Sequence, residues 1–183
     1  MDCLLFAATE YFKLFDIDYI YVLENGVTFH VYFTPGFFHH LAGLHKLTDI
    51  PQVSKGNRNN TNYIFKNILN GIIAIEDIQK SRHFNEIEPR LRHFTQINRL
   101  IEFEKVIIDF DPSIIKSKVQ NADYVLFKRS NDNMYLNLFL KAKGNNLNKQ
   151  IPLTYLPDIT DYYTHSQKIL NIASMEKFPR GKV

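Results

Sequence analysis

Between Phe37 and Leu47 the chain sets His39, His40, His45 and Lys46 into an otherwise apolar run, Phe-Phe-His-His-Leu-Ala-Gly-Leu-His-Lys-Leu. Imidazole changes charge nearest neutral pH, so three of them beside an ammonium could move protons and steady an anion. Read as a helix, the run puts His39, Gly43 and Lys46 on one line. It sets His40 in line with Leu44, at the edge of an apolar stripe of Phe37, Leu41, Leu44 and Leu47. A histidine there can be oriented by packing and still reach a cleft. A helix histidine hydrogen-bonded for structure is the alternative reading. His40 and His45 are five apart, off the i, i+4 spacing of a helical metal pair, and no metal site is expected.

Other chemistries have little support. There is no glycine-rich phosphate loop, no Gly-x-Ser-x-Gly and no His-Glu-x-x-His. Asp109 and Asp111 resemble half of a magnesium site, without a third carboxylate nearby. No cofactor is expected. What remains is chemistry needing only imidazole, cations, hydroxyls and amides, of which metal-independent RNA cleavage is an example. A base takes the ribose 2′-hydroxyl proton, an acid protonates the departing 5′-oxygen, and donors stabilise the phosphorane.

The positioning elements follow from patterning. Residues 3–15 repeat apolar side chains at helical spacing. Asn25-Gly26 separates two runs rich in aromatic and β-branched residues, 17–23 and 27–33, which is a hairpin signal. After the histidine run, taken as a helix ending near Leu47–Asp49, comes a polar loop over 54–62 carrying Lys55 and Arg58. Helical patterns cover 63–70, 72–82 and 85–104, and the stretch 82–99, with Arg82, His83, Arg90, Arg92, His93 and Arg99, reads as a solvated basic face. Strands are expected at 105–110, 122–129, 134–141 and 151–156, and a closing helix from about Asp161 to Lys177, with Ile169, Ile172 and Ala173 among its apolar positions. The fold class is α+β: an N-terminal helix and β-hairpin, central helices, then a mostly antiparallel sheet with a closing helix. At 183 residues the chain reads as a single domain, 1–183, with a helical insertion at about 63–104.

Composition bounds the setting. Phe (15) and Tyr (10) are abundant, which favours strands, and 45% hydrophobic content is ample for a core. The net charge of +3 permits a nucleic-acid partner without demanding one. The one cysteine, Cys3, excludes an intrachain disulfide and suits a reducing compartment. No run is long enough to span a bilayer, and Met1-Asp2-Cys3 lacks the basic start of a signal peptide, so a cytoplasmic location and no membrane partner are expected.

The segment Phe38-His39-His40-Leu41-Ala42-Gly43-Leu44, following an aromatic hairpin, resembles the Phe-x-His-Leu-x-Gly-Leu segment of phage-associated barnase–EndoU–colicin–RelE-like (BECR) nuclease domains. Thr154 in a short strand, then Asp161-Tyr162-Tyr163-Thr164-His165-Ser166-Gln167, is similar to that family's polar strand residue and Tyr-x-x-x-Gln helix start. The resemblance implies His40 as the leading catalytic residue, with Thr154, Tyr163 and Gln167 as site partners and His45 and Lys46 as adjacent candidates. His39 joins His45 as a substrate contact, and Lys128, Arg129 and His165 are candidate phosphate contacts, each with a plain surface role as its alternative. The expectation is a metal-independent endoribonuclease, a toxin or antiphage effector with RNA as partner and an antitoxin or immunity protein to neutralise it. The alternative is a noncatalytic RNA-binding or partner-binding module on the same scaffold.

Overall fold

The computed structural model describes residues 2–54, 60–94, 96–130, 132–144 and 146–180, so Lys55 and Arg58 of the polar loop lie outside the described residues. The chain is α+β. It divides into two compact units, one formed by Met1–Phe15 with Thr34–Asn98 and the other by Asp16–Phe33 with Arg99–Val183.

The first unit is helical: α1 (Cys3–Phe12), α2 (Pro35–Leu41), α3 (Thr61–Leu69), α4 (Ile75–Ile78) and α5 (Glu88–Phe94), with the first residues of α6 (Ile97–Leu100) at its end. Asp2 caps α1. One carboxylate oxygen accepts from the Leu4 and Leu5 amides at 2.8 and 2.9 Å, and the other accepts from Ile75 N at 3.1 Å, tying the start of α1 to that of α4. Tyr11 is the hub of the core. Its ring meets Phe15, Phe38, Phe65 and Phe94 at centroid distances of 5.3 to 5.9 Å, and its hydroxyl donates to Thr34 O at 2.9 Å.

Three expected helices are cut short here. The histidine run stops being helical at Leu41, because Gly43 takes a left-handed φ of +81° and Leu44–Lys46 form a separate 3-10 turn. The 72–82 pattern contains only the single turn of α4, following Gly71 at φ +70°. The 85–104 pattern is broken into a 3-10 turn at Phe84–Glu86, then α5 and α6.

The second unit is a closed barrel of β1 (Ile17–Leu23), β2 (Thr28–Tyr32), β3 (Lys105–Ile108), β4 (Tyr124–Arg129), β5 (Tyr135–Lys143), β6 (Asn146–Asp158) and β7 (Ile169–Pro179). Around the barrel the order is β1-β2-β6-β5-β4-β3-β7, with β7 returning to β1, and every pairing is antiparallel except β2 with β6. The hairpin expected at Asn25-Gly26 is β1–β2, with Gly26 at φ +84°.

Strands β3, β4 and β5 are apolar on both faces because both faces are covered. On the inner face Tyr21 stacks on Phe29 at 5.2 Å and Phe29 on Tyr124 at 4.6 Å. As β2 and β4 are not neighbours, that second stack crosses the barrel interior. On the outer face Ile107, Phe110, Ile115, Ala122, Val125 and Phe139 form a buried cluster, with Tyr163 packed against it.

The expected closing helix is not formed: 161–166 is a run of turns and bends, and β7 takes the rest. Strand β7 carries a bulge. Tyr21 pairs with Met175 and Val22 with Ser174, but Leu23 pairs with Ile172, leaving Ala173 as an extra residue. Ile172 and Met175 therefore share a face although three apart, and a bulged strand reproduces the spacing of a helix. Strand β6 is likewise longer than expected. Its Pro152 and Pro157 are accommodated because β2 pairs with β6 only at Lys149 and Gln150.

Candidate active site

The histidine cluster is assembled by the break at Gly43. Turning the chain there brings His45 back over α2, so that the His40 and His45 rings lie 4.5 Å apart at 33°. His39 is 5.9 Å from His40 and 6.3 Å from His45, centroid to centroid. The helical wheel put His39 away from the core, yet His39 is buried. Its Nε2 pairs with Val53 O at 2.7 Å, which makes Nε2 the protonated nitrogen.

Arg90 completes the cluster. It is buried on α5, and its Nη1 donates to the His40 carbonyl at 3.5 Å. The solvated face expected of the basic stretch 82–99 fails at Arg90. The signal was present, since Arg90 falls three after Ile87 and four before Phe94, both wholly buried. Lys46 sits on the rim, where Nζ donates to Glu86 Oε2 at 3.3 Å and His83 Nδ1 reaches Glu86 Oε1 at 2.9 Å. Hydrogen bonds from His83 and then Lys46 hold the Glu86 carboxyl below its ordinary range.

Burial drives the pKa of His45 down to about 4, and the positive charges of His40, Arg90 and His39 act the same way. His45 is therefore neutral near pH 7, and its buried Nδ1 has no hydrogen-bond partner. The sign of the stability effect follows. The unfolded ring, with a pKa of about 6.5, binds a proton before the folded ring does, so the contribution is complete above about pH 6.5 and lost as pH falls towards 4. With allowance for solvent screening of a part-exposed ring, the loss is about 2 kcal/mol. Urea denaturation of wild type and His45→Gln, stepped from about pH 7.5 to about pH 4.5, is expected to show a flatter acid limb in the variant.

The other expected site residues lie in the barrel unit. Thr154 stands opposite Phe139 in the β5–β6 ladder, and the Tyr163 ring meets Phe139 edge-on at 5.1 Å, so these two gather at the outer apolar cluster. Gln167 is engaged at both ends of its amide: Oε1 accepts from Asp111 N at 3.1 Å and Nε2 donates to Asp111 O at 2.9 Å. That pairing pins the loop after β3. Lys128 and Arg129 line a groove of about 470 Å³ with Lys105, Tyr135, Glu104 and Asp161, and the Arg129 guanidinium lies 5.8 Å from the Tyr135 ring centroid. His165 is exposed in the turn region. Among the described residues no group of three or more His, Cys, Asp or Glu side chains is placed to hold a metal ion. No helix among them is long and apolar enough to cross a membrane.

Residues 4–177 match the family model described as phage-Barnase-EndoU-ColicinE5/D-RelE like nuclease4, PBECR4. The chain belongs to this family. PBECR4 is a nuclease family, and its match takes in both the histidine cluster and the Thr154–Gln167 region. No curated protein and no solved structure matches the chain.

Proposed function

We propose that this PBECR4 chain is a metal-independent endoribonuclease whose chemistry centres on His40. The observation that carries the reading is the packing of His40 against a neutral His45, with the Arg90 cation buried alongside. His45 stays neutral near pH 7, and His40 is the ring taken to exchange a proton with substrate. In the reaction the ribose 2′-oxygen loses its proton, attacks phosphorus, and the bond to the 5′-oxygen breaks as that oxygen gains a proton. The products are a 2′,3′-cyclic phosphate and a 5′-hydroxyl. Arg90 and Lys46 supply positive potential for the extra charge on the phosphorane. Lys128 and Arg129, on the barrel groove, contact the RNA backbone. A role as a toxin or antiphage effector is suggested by the family's description alone, and a neutralising partner protein would follow from such a role.

The test is incubation of the purified chain with RNA in EDTA, followed by end-group analysis. Fragments ending in 2′,3′-cyclic phosphate, absent when the cut nucleotide is 2′-deoxy, are the expected outcome. Products ending in a free 3′-hydroxyl would overturn the mechanism. Intact RNA with salt-sensitive association would favour noncatalytic binding, which the cations of the barrel groove also support.

A further inference from the structure

On the barrel, apart from the residues assigned to the nuclease chemistry, Asp109, Phe110, Ala122, Asp123, Tyr124, Leu147 and Gln150 line a recess of about 350 Å³. Gln150 is wholly buried. Its Nε2 donates to Leu147 O at 2.7 Å, which fixes the orientation of the amide, and its Oε1 is buried without a hydrogen-bond partner. A buried carbonyl left unpaired costs about 1–3 kcal/mol, so its retention calls for a reason. Two carboxylates share the recess with it. Asp123 Oδ2 accepts from Ala142 N at 2.6 Å, leaving its other oxygen available, and exposed Asp109 projects from a residue at φ +51°. The negative field is felt by Tyr124, whose pKa is raised by burial and then by the charges of Asp109 and Asp123. The rim already attracts an ammonium, for Lys168 Nζ lies 3.4 Å from Asp109 Oδ2.

We propose that this recess is a binding site for an alkylammonium or guanidinium group, with the Gln150 Oε1 and the Asp123 carboxylate as acceptors for its N–H donors and Leu147 and Tyr124 against its aliphatic stem. The charged groups of the lining are both carboxylates, Asp109 and Asp123, so the recess favours donor-rich cations over phosphate. It is thus a site for a ligand other than the RNA backbone. Two sources share this chemistry: a free polyamine, or a Lys or Arg side chain presented by a protein.

The experiment is titration of the full-length chain by heteronuclear NMR with spermidine, with N-acetyl-arginine amide, and with n-butanol as a neutral control. The expected result is saturable shifts confined to Asp109, Asp123, Tyr124 and Gln150 with one or both cations and none with n-butanol. Tighter binding of the arginine derivative identifies a protein side chain as the source, and tighter binding of spermidine a free polyamine. Gln150→Leu is expected to weaken binding at least about tenfold while the chain stays folded, since it removes an acceptor that has no internal partner. Asp123→Asn gives a second loss of similar size if Gln150→Leu fails to fold. No saturable shift with either cation, equal shifts with n-butanol, or wild-type affinity in both variants would overturn the proposal. RNA cleavage does not enter any of these readouts, so they stand apart from the nuclease assay.

Discussion

His40→Ala is expected to slow RNA cleavage by roughly a hundredfold to ten-thousandfold, the usual contribution of a positioned acid or base. The variant should fold, because the buried member of the trio is His39, not His40, and because the contact from Arg90 goes to the His40 backbone carbonyl, which alanine retains. Comparing initial rates at saturating RNA with circular dichroism of the same samples separates chemistry from unfolding. A rate within a few-fold of wild type would remove His40 from the mechanism. Arg90→Lys is a useful companion: it keeps a charge but loses the planar fork, and should lower the rate less than His40→Ala.

Gly43→Ala is expected to destabilise the chain by about 2–4 kcal/mol, seen as a lowered urea midpoint with little change in m-value. Two costs combine. A side chain at φ +81° is strained in its own backbone, by about 1 kcal/mol. The new Cβ would also stand 2.9 Å from Ile87 Cγ2 and 3.2 Å from Arg90 Cδ, inside contact distance of a packed wall. Since Arg90 is one of the groups displaced, cleavage should fall even where the variant remains folded. An unchanged midpoint would show that the reversal of chain direction at Gly43 is not held as described.

The parts of the fold legible in the sequence were those set by local chemistry. Asn25-Gly26 between two aromatic runs marked its hairpin because few other residues take the backbone angles of that turn. The histidine cluster is recognisable by residue type, yet a helical wheel run through to Leu47 misplaces His39, because α2 ends at Leu41 and the chain turns back at Gly43. The burial of Arg90 was hidden by its neighbours Arg92 and His93, whose charge made the whole stretch look solvated. The closing helix is a strand instead, because the segment pairs with β1, more than a hundred residues earlier in the chain, which local spacing cannot show. Gln167 was picked out as a site residue from a motif, whereas its amide contacts in the structure are to the Asp111 backbone.

Each unit of this chain is discontinuous, and that has a kinetic consequence. All described residues of the helical unit have been synthesised once Asn98 is reached, but β1 and β2 must wait, because β1 closes the barrel against β7, with Ile17 opposite Pro179. During that interval Tyr19, Tyr21 and Leu23 have no partner on one strand edge, and the closing contacts are among the most distant in sequence that the chain can make. Barrel closure is therefore expected to be the last step of folding, and the interval before it is when chaperones or misplaced strands can engage the chain.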